Sequence, residues 1–154
     1  MPPTFQRHES VDEFLAVAGA FLEAREAENN LLFGISSAVR SSPELFAEDA
    51  PSFATVADDA GRTVAATLRT PPHNQVLSWI DELDAVDAIV DALRAEPLPG
   101  LLGSTEAAAR FASAWTDATG QFTDLANPTS NKIYRAIGYE PVCDMDQYRF
   151  ASHG

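Results

Sequence analysis

Three polar side chains near the C-terminus have the types and spacing for chemistry: Asn127, Asn131 and Tyr134. Asn127 is a strong helix N-cap. Pro128 suits the first helical position, where its missing N–H had no partner anyway. Gly138 suits the left-handed residue that follows a helix. These local rules predict a short helix over about 128–137 that carries Asn127, Asn131 and Tyr134 on one side. At about 100° per residue, Ile133 and Ile137 share one face, and Asn131, Tyr134 and Gly138 another. The isoleucines can then pack on a sheet while carboxamide and phenol face a cleft. A phenol with a pKa near 10 keeps its proton at neutral pH and can pass it to a base of similar strength. The same residues also describe an ordinary capped helix lying on a sheet.

The chain around this helix has 154 residues, enough for one domain with a real core, and 45% of them are hydrophobic. One cysteine, Cys143, rules out an internal disulfide and suits a reducing compartment. The first residues hold no apolar signal region and no stretch is long enough to span a bilayer, so a cytoplasmic protein is expected. Ten Lys and Arg against 23 Asp and Glu give a net charge of −13. Such a chain repels phosphate backbones and anionic membranes, so neither nucleic acid nor membrane is an expected partner.

The period of apolar residues sets the order of elements. Ser10 and Glu13 form a capping box, and Val11, Phe14, Leu15, Ala18, Phe21 and Leu22 follow at helical spacing, predicting a helix over about 11–27. Asn29-Asn30 can cap a second helix that stops before Pro43, with Leu31, Leu32, Ile35 and Val39 inward. The period then changes to two. Phe53–Ala57 and Thr63–Thr70, joined by Asp58-Asp59-Ala60-Gly61, read as a β-hairpin, and Gln75–Trp79 as a third strand. Leu83, Val86, Ile89, Val90 and Leu93 restore helical spacing, with Asp81, Glu82 and Asp84 at the helix start. Pro97, Pro99, Gly100 and Gly103 read as a loop, and Ser104 caps a further helix carrying Ala108, Phe111 and Trp115. The expected class is α/β, with helices packed on a mainly antiparallel mixed sheet.

The segment from Phe122 through Asn127-Pro128, Tyr134 and Gly138-Tyr139 to Tyr148-Arg149-Phe150 resembles the closing strand–helix–strand of GNAT-type N-acetyltransferases. These enzymes move an acetyl group from coenzyme A to an amine. The resemblance implies that Tyr134 is the acid that protonates the departing thiolate, and that Asn127 and Asn131 contact the pantetheine arm of acetyl-CoA. Residues 1–120 resemble, more diffusely, the N-terminal lobe of two-lobed members, through Glu28-Asn29-Asn30-Leu31, the hairpin, Thr70-Pro71-Pro72 and the Phe111, Trp115, Gly120 helix. The expectation is an internally shortened, incomplete GNAT-like fold: residues 1–120 as one lobe, joined to residues 121–154 as the end of the catalytic lobe and packed with them as one unit.

Enzymes of this type need a strand, then a Gln/Arg-x-x-Gly-x-Gly/Ala turn opening onto a helix, so that backbone N–H groups cradle the pyrophosphate. The nearest glycine cluster, Pro99-Gly100-Leu101-Leu102-Gly103, lacks that spacing. Two functions therefore stand side by side: an amine N-acetyltransferase, and a non-catalytic GNAT-like module without cofactor binding. Joined strands with open edges also favour self-association. The remaining candidates read as structural. His8, His73 and His153 are scattered and solvated, no metal site is expected, and Cys143 is a buried inert thiol. Asp144 and Asp146 mark a solvated strand edge.

Overall fold

A computed structural model describes residues 3–125 and 145–151. The strands in chain order are β1 (Thr4–His8), β2 (Ser52–Ala57), β3 (Thr63–Arg69), β4 (Gln75–Leu77), β5 (Gly100–Ser104), β6 (Phe122–Leu125) and β7 (Met145–Ala151). The helices are α1 (Val11–Glu23), α2 (Asn30–Ser41), α3 (Asp84–Leu93) and α4 (Thr105–Thr119), and Pro43–Phe46 forms a 3-10 turn. All seven strands join one sheet in the order β1-β2-β3-β4-β5-β7-β6. Every neighbouring pair is antiparallel except β4 and β5. The class is thus α/β, with helices on a mainly antiparallel mixed sheet.

Helices cover the sheet on both sides. Phe14, Ala18, Leu22, Leu32 and Val39 of α1 and α2 pack on Phe53, Ala66, Leu68, Val76 and Leu102. On the other face, Val86, Ile89, Phe111 and Trp115 of α3 and α4 pack on Val56, Ala65, Leu77 and Leu101. A sheet covered on both faces buries consecutive residues, so Phe53–Val56 and Ala65–Leu68 are all buried, not only alternate ones. Thr67, whose hydroxyl donates to Val76 O at 2.7 Å and accepts from Gln75 Nε2 at 2.7 Å, is satisfied in that interior.

Several sequence expectations change. Two strands, β1 and β5, were not expected. The Pro99–Gly103 stretch is not a loop: Gly100–Ser104 is a fully buried strand between β4 and β7. Its glycines serve close strand packing. A Cβ on Gly100 would collide with the Tyr148 carbonyl oxygen, and one on Gly103 would lie 3.2 Å from Leu77 Cδ1. Helix α1 ends at Glu23 rather than near 27, because the Leu22 carbonyl accepts from Arg25 N at 3.2 Å and from the Asn29 carboxamide at 3.2 Å. His8 is not solvated. Its side chain is fully buried, with Nε2 2.9 Å from Thr55 Oγ1 and Nδ1 3.5 Å from Glu13 Oε1. The capping box holds in part: Glu13 N donates to Ser10 Oγ at 3.0 Å, but the Glu13 carboxylate accepts from Glu9 N at 3.4 Å.

The β2–β3 turn carries a local electrostatic lock. Asp58 accepts from the Arg62 backbone N–H at 2.9 Å, the Ala60 N–H at 3.0 Å and the Arg62 guanidinium at 3.0 Å. The Arg62 backbone bond first, then its guanidinium, hold the Asp58 carboxyl below its usual value of 3.8 against the opposing effect of burial. A lowered folded pKa stabilises the fold above the unfolded pKa and ceases to do so as pH falls through the folded one. Replacing Asp58 by Asn should therefore lower the urea midpoint at pH 7, and the gap to the parent should narrow as pH falls below the usual carboxylate value of 3.8. Urea titrations across that range check this; a pH-independent gap would contradict it.

Candidate functional site

Among the described strands, two neighbours run parallel at one place in the sheet. Gln75 and Val76 of β4 face Leu101 and Leu102 of β5, and the pairing extends over only these two positions. Beyond them, β4 turns through 78–83 into α3, while β5 runs through Ser104 straight into α4. The C-terminal ends of parallel strands, followed by helix N-termini, are the usual place for ligands in α/β proteins. This is the candidate site.

The β4–α3 turn is held rigidly. Ser78 N donates to Ala66 O at 2.8 Å, and Ser78 Oγ accepts from Ala66 N at 3.0 Å and donates to Trp79 O at 3.0 Å. Asn29 comes from the α1–α2 connection and is fully buried. Its Oδ1 accepts from Trp79 N at 2.8 Å, and its Nδ2 donates to Leu22 O. The Arg25 guanidinium carbon lies 4.9 Å from the Trp79 ring centre, a cation–π contact. Trp79 Nε1 donates to Asp81 Oδ1 at 2.9 Å, and Arg25 lies 3.8 Å from both Asp81 and Glu28. Beside the turn is a cleft of about 210 Å³ rimmed by Arg62, Asp81 and Glu82, with Phe21 at one side.

These residues do not fit a pyrophosphate. The turn Ser78-Trp79-Ile80-Asp81-Glu82-Leu83 has no glycine, the residue that most readily takes the left-handed conformations of a phosphate-binding nest. The N–H groups of Ala85 and Val86 donate to Glu82 O and Leu83 O, both at 3.0 Å, and so are already used. Asp81, Glu82, Asp84 and Asp87 surround the helix start with negative charge. That charge suits the helix dipole but repels a bound anion. The second strand-to-helix turn also carries a carboxylate. Ser104 is the N-cap of α4 with no side-chain cap bond, and Glu106 occupies the first turn.

Of the residues expected from sequence to do chemistry, Asn127, Asn131 and Tyr134 lie outside the described residues, as do Gly138, Tyr139, Cys143 and Asp144. The described strands on either side of them meet: Thr123 pairs with Phe150 and Leu125 with Tyr148. Burial, with the Asp146 carboxylate, pushes the Tyr148 phenol above its usual value, so that phenol stays protonated at neutral pH. Its ring packs toward the α3–α4 core. No group of three His, Cys, Asp or Glu side chains suited to a metal occurs among the described residues. Nor is any described helix long and apolar enough to cross a membrane.

The sheet and its helices define a three-layer α/β domain. Among solved structures the chain is similar to an acetyltransferase of the GNAT family from Staphylococcus aureus Mu50, at 9% identity over 97% of this chain and 100% of that one, with a TM-score of 0.44. No protein-family model matches the chain, and no curated protein does.

Proposed function

We propose that this chain is a GNAT-like domain that has lost the acetyl-CoA cradle and acts as a binding module rather than an acetyltransferase. The carrying observation is the β4–α3 turn: glycine-free, acidic, and with the N–H groups of Ala85 and Val86 already bonded. The GNAT-like part of the reading is supported by the resemblance of the segment around Asn127, Asn131 and Tyr134. An internally shortened relative accounts for both features. In that reading β6 and β7, from the end of a catalytic lobe, extend the sheet of residues 1–120, with β7 along β5 from Gly100 to Ser104.

Calorimetric titration tests the reading. Coenzyme A and acetyl-CoA should give no saturable heat up to about millimolar concentration, which bounds any binding at about −4 kcal/mol. A micromolar dissociation constant would overturn the proposal. It would favour the second reading, an amine N-acetyltransferase with Tyr134 as the acid and Asn127 and Asn131 against the pantetheine arm.

A further inference from the structure

Strand β1 and helix α3 frame a groove of about 590 Å³ that shares Asp84 and Asp87 with the helix start described above and extends from there along α3 to Asp91 and Ala92. Phe5 and the half-buried Ala88 and Ala92 give it an apolar floor, and Asp84 and Asp91 give it an acidic wall. The groove runs beside a sheet edge, because β1 is the terminal strand and, among the described residues, pairs only with β2. Its outer backbone groups can accept a further strand. In an added strand every second side chain would lie on the Phe5 side of the sheet and meet α3.

Charge selects what that strand carries. A third carboxylate in the groove, Asp87, is neutralised by Arg110, whose Nε and Nη2 lie 3.0 and 2.6 Å from its oxygens. Asp84 and Asp91 are exposed and have no ion-pair partner among the described residues. They are seven residues apart on α3, about 10 Å along its axis. Arg7 leans over the Phe5 ring on the same face, but Glu96 holds its guanidinium. Arg110 also attracts Asp84 electrostatically without bonding it, so the groove pairs an open edge and an apolar floor with two carboxylates that hold no salt bridge among the described residues, on a chain of net charge −13.

We propose that this groove docks an extended segment of a partner protein, added to β1 as a further strand, with long cationic side chains on its α3-facing side reaching Asp84 and Asp91. Backbone pairing supplies affinity and the carboxylates supply selectivity. A second copy of this chain is a poor occupant, because it would bring its own acidic groove edge to the same place. The inference gives a partner to the proposed binding module, but it rests on the groove alone and stands whether or not coenzyme A binds.

The probe is a fluorescein-labelled peptide of alternating lysine and valine, read by anisotropy against a block-ordered peptide of the same composition. The alternating peptide should bind. Its affinity should fall about tenfold or more in the Asp84→Asn, Asp91→Asn double variant and on raising salt from about 50 to 300 mM. Equal binding of the block peptide, or no loss in the double variant, overturns the proposal. Backbone amide shifts in the unaltered protein decide the matter even if the double variant folds poorly. They should move at residues 4–8, 88 and 92, and shifts confined elsewhere overturn the assignment. A dimer seen by sedimentation, with those shifts appearing without peptide as concentration rises, would give the edge to a second copy and overturn it as well.

Discussion

Replacing Trp115 by alanine should destabilise the protein by about 3–5 kcal/mol, a large fraction of a domain's stability. Trp115 is 1% exposed and belongs to a cluster of three rings that all touch one another, with Phe111 and Phe150 themselves 6.0 Å apart. Its ring centre is 5.7 Å from that of Phe111 on the same helix and 5.1 Å from that of Phe150 on β7, and all three rings are close to parallel. Its indole N–H also donates to Gln121 Oε1 at 2.7 Å, just after α4 ends at the left-handed Gly120. The alanine variant loses the ring's burial and leaves a cavity that helix and strand cannot both close. Chemical denaturation measures the cost. The stack fastens β7 to the body of the protein, so Trp115→Ala and Phe150→Ala should be coupled. A double-mutant cycle should give about 0.5–1.5 kcal/mol of interaction. A cycle with no coupling would show that the rings act independently and that β7 is held by its backbone pairing to β5 alone.

What the sequence made legible follows from how local the cause of each feature is. The start of α1 follows from Ser10 and Glu13, and the β2–β3 turn from Asp58 to Gly61, because each motif satisfies its own backbone within a few residues. Helices α3 and α4 follow from apolar residues at helical spacing on one buried face. Strand β5 was hidden for the opposite reason. Gly100-Leu-Leu-Gly-Ser104 is buried on both faces, so it shows no alternation, and its glycines answer to Tyr148 and Leu77, which lie far away in sequence. Strand β1 was hidden because an edge strand with a polar outer face, Thr-Phe-Gln-Arg-His, looks like loop. The candidate site was legible only as an absence: no Gly-x-Gly/Ala turn could be found, and the structure puts the acidic β4–α3 turn at the parallel strand ends. Arg25 and Trp79 gave no local signal, since each acquires its role from the other only in the fold.

Asn29 shows how a sequence signal can be right about position and wrong about cause, and it carries the second large effect. It precedes α2 where an N-cap is expected, yet its side chain makes no capping bond. The carboxamide instead spans two elements, accepting from Trp79 N–H and donating to the Leu22 carbonyl, in a fully buried setting. Truncation to alanine leaves both backbone groups without these partners, at about 1–3 kcal/mol for each group that stays unsatisfied. The expected loss is therefore about 2–5 kcal/mol, well above the ~1 kcal/mol of a lost helix cap. An aspartate at this position separates the two bonds. It keeps the acceptor for Trp79 N–H but has no donor for Leu22 O, and it puts a charge into a buried site near Glu28. Aspartate caps a helix as well as asparagine does, so a capping role predicts that Asn29→Asp is nearly neutral, whereas the bridge predicts a loss comparable to that of alanine. The second readout is Trp79 fluorescence, against a Trp115→Phe background that leaves Trp79 as the only indole. Releasing the β4–α3 turn from Asn29 should expose the Trp79 ring and shift its emission to longer wavelength at denaturant concentrations where the protein is still folded. An unchanged spectrum, with stability lost only at the α2 start, would return Asn29 to the role of a cap.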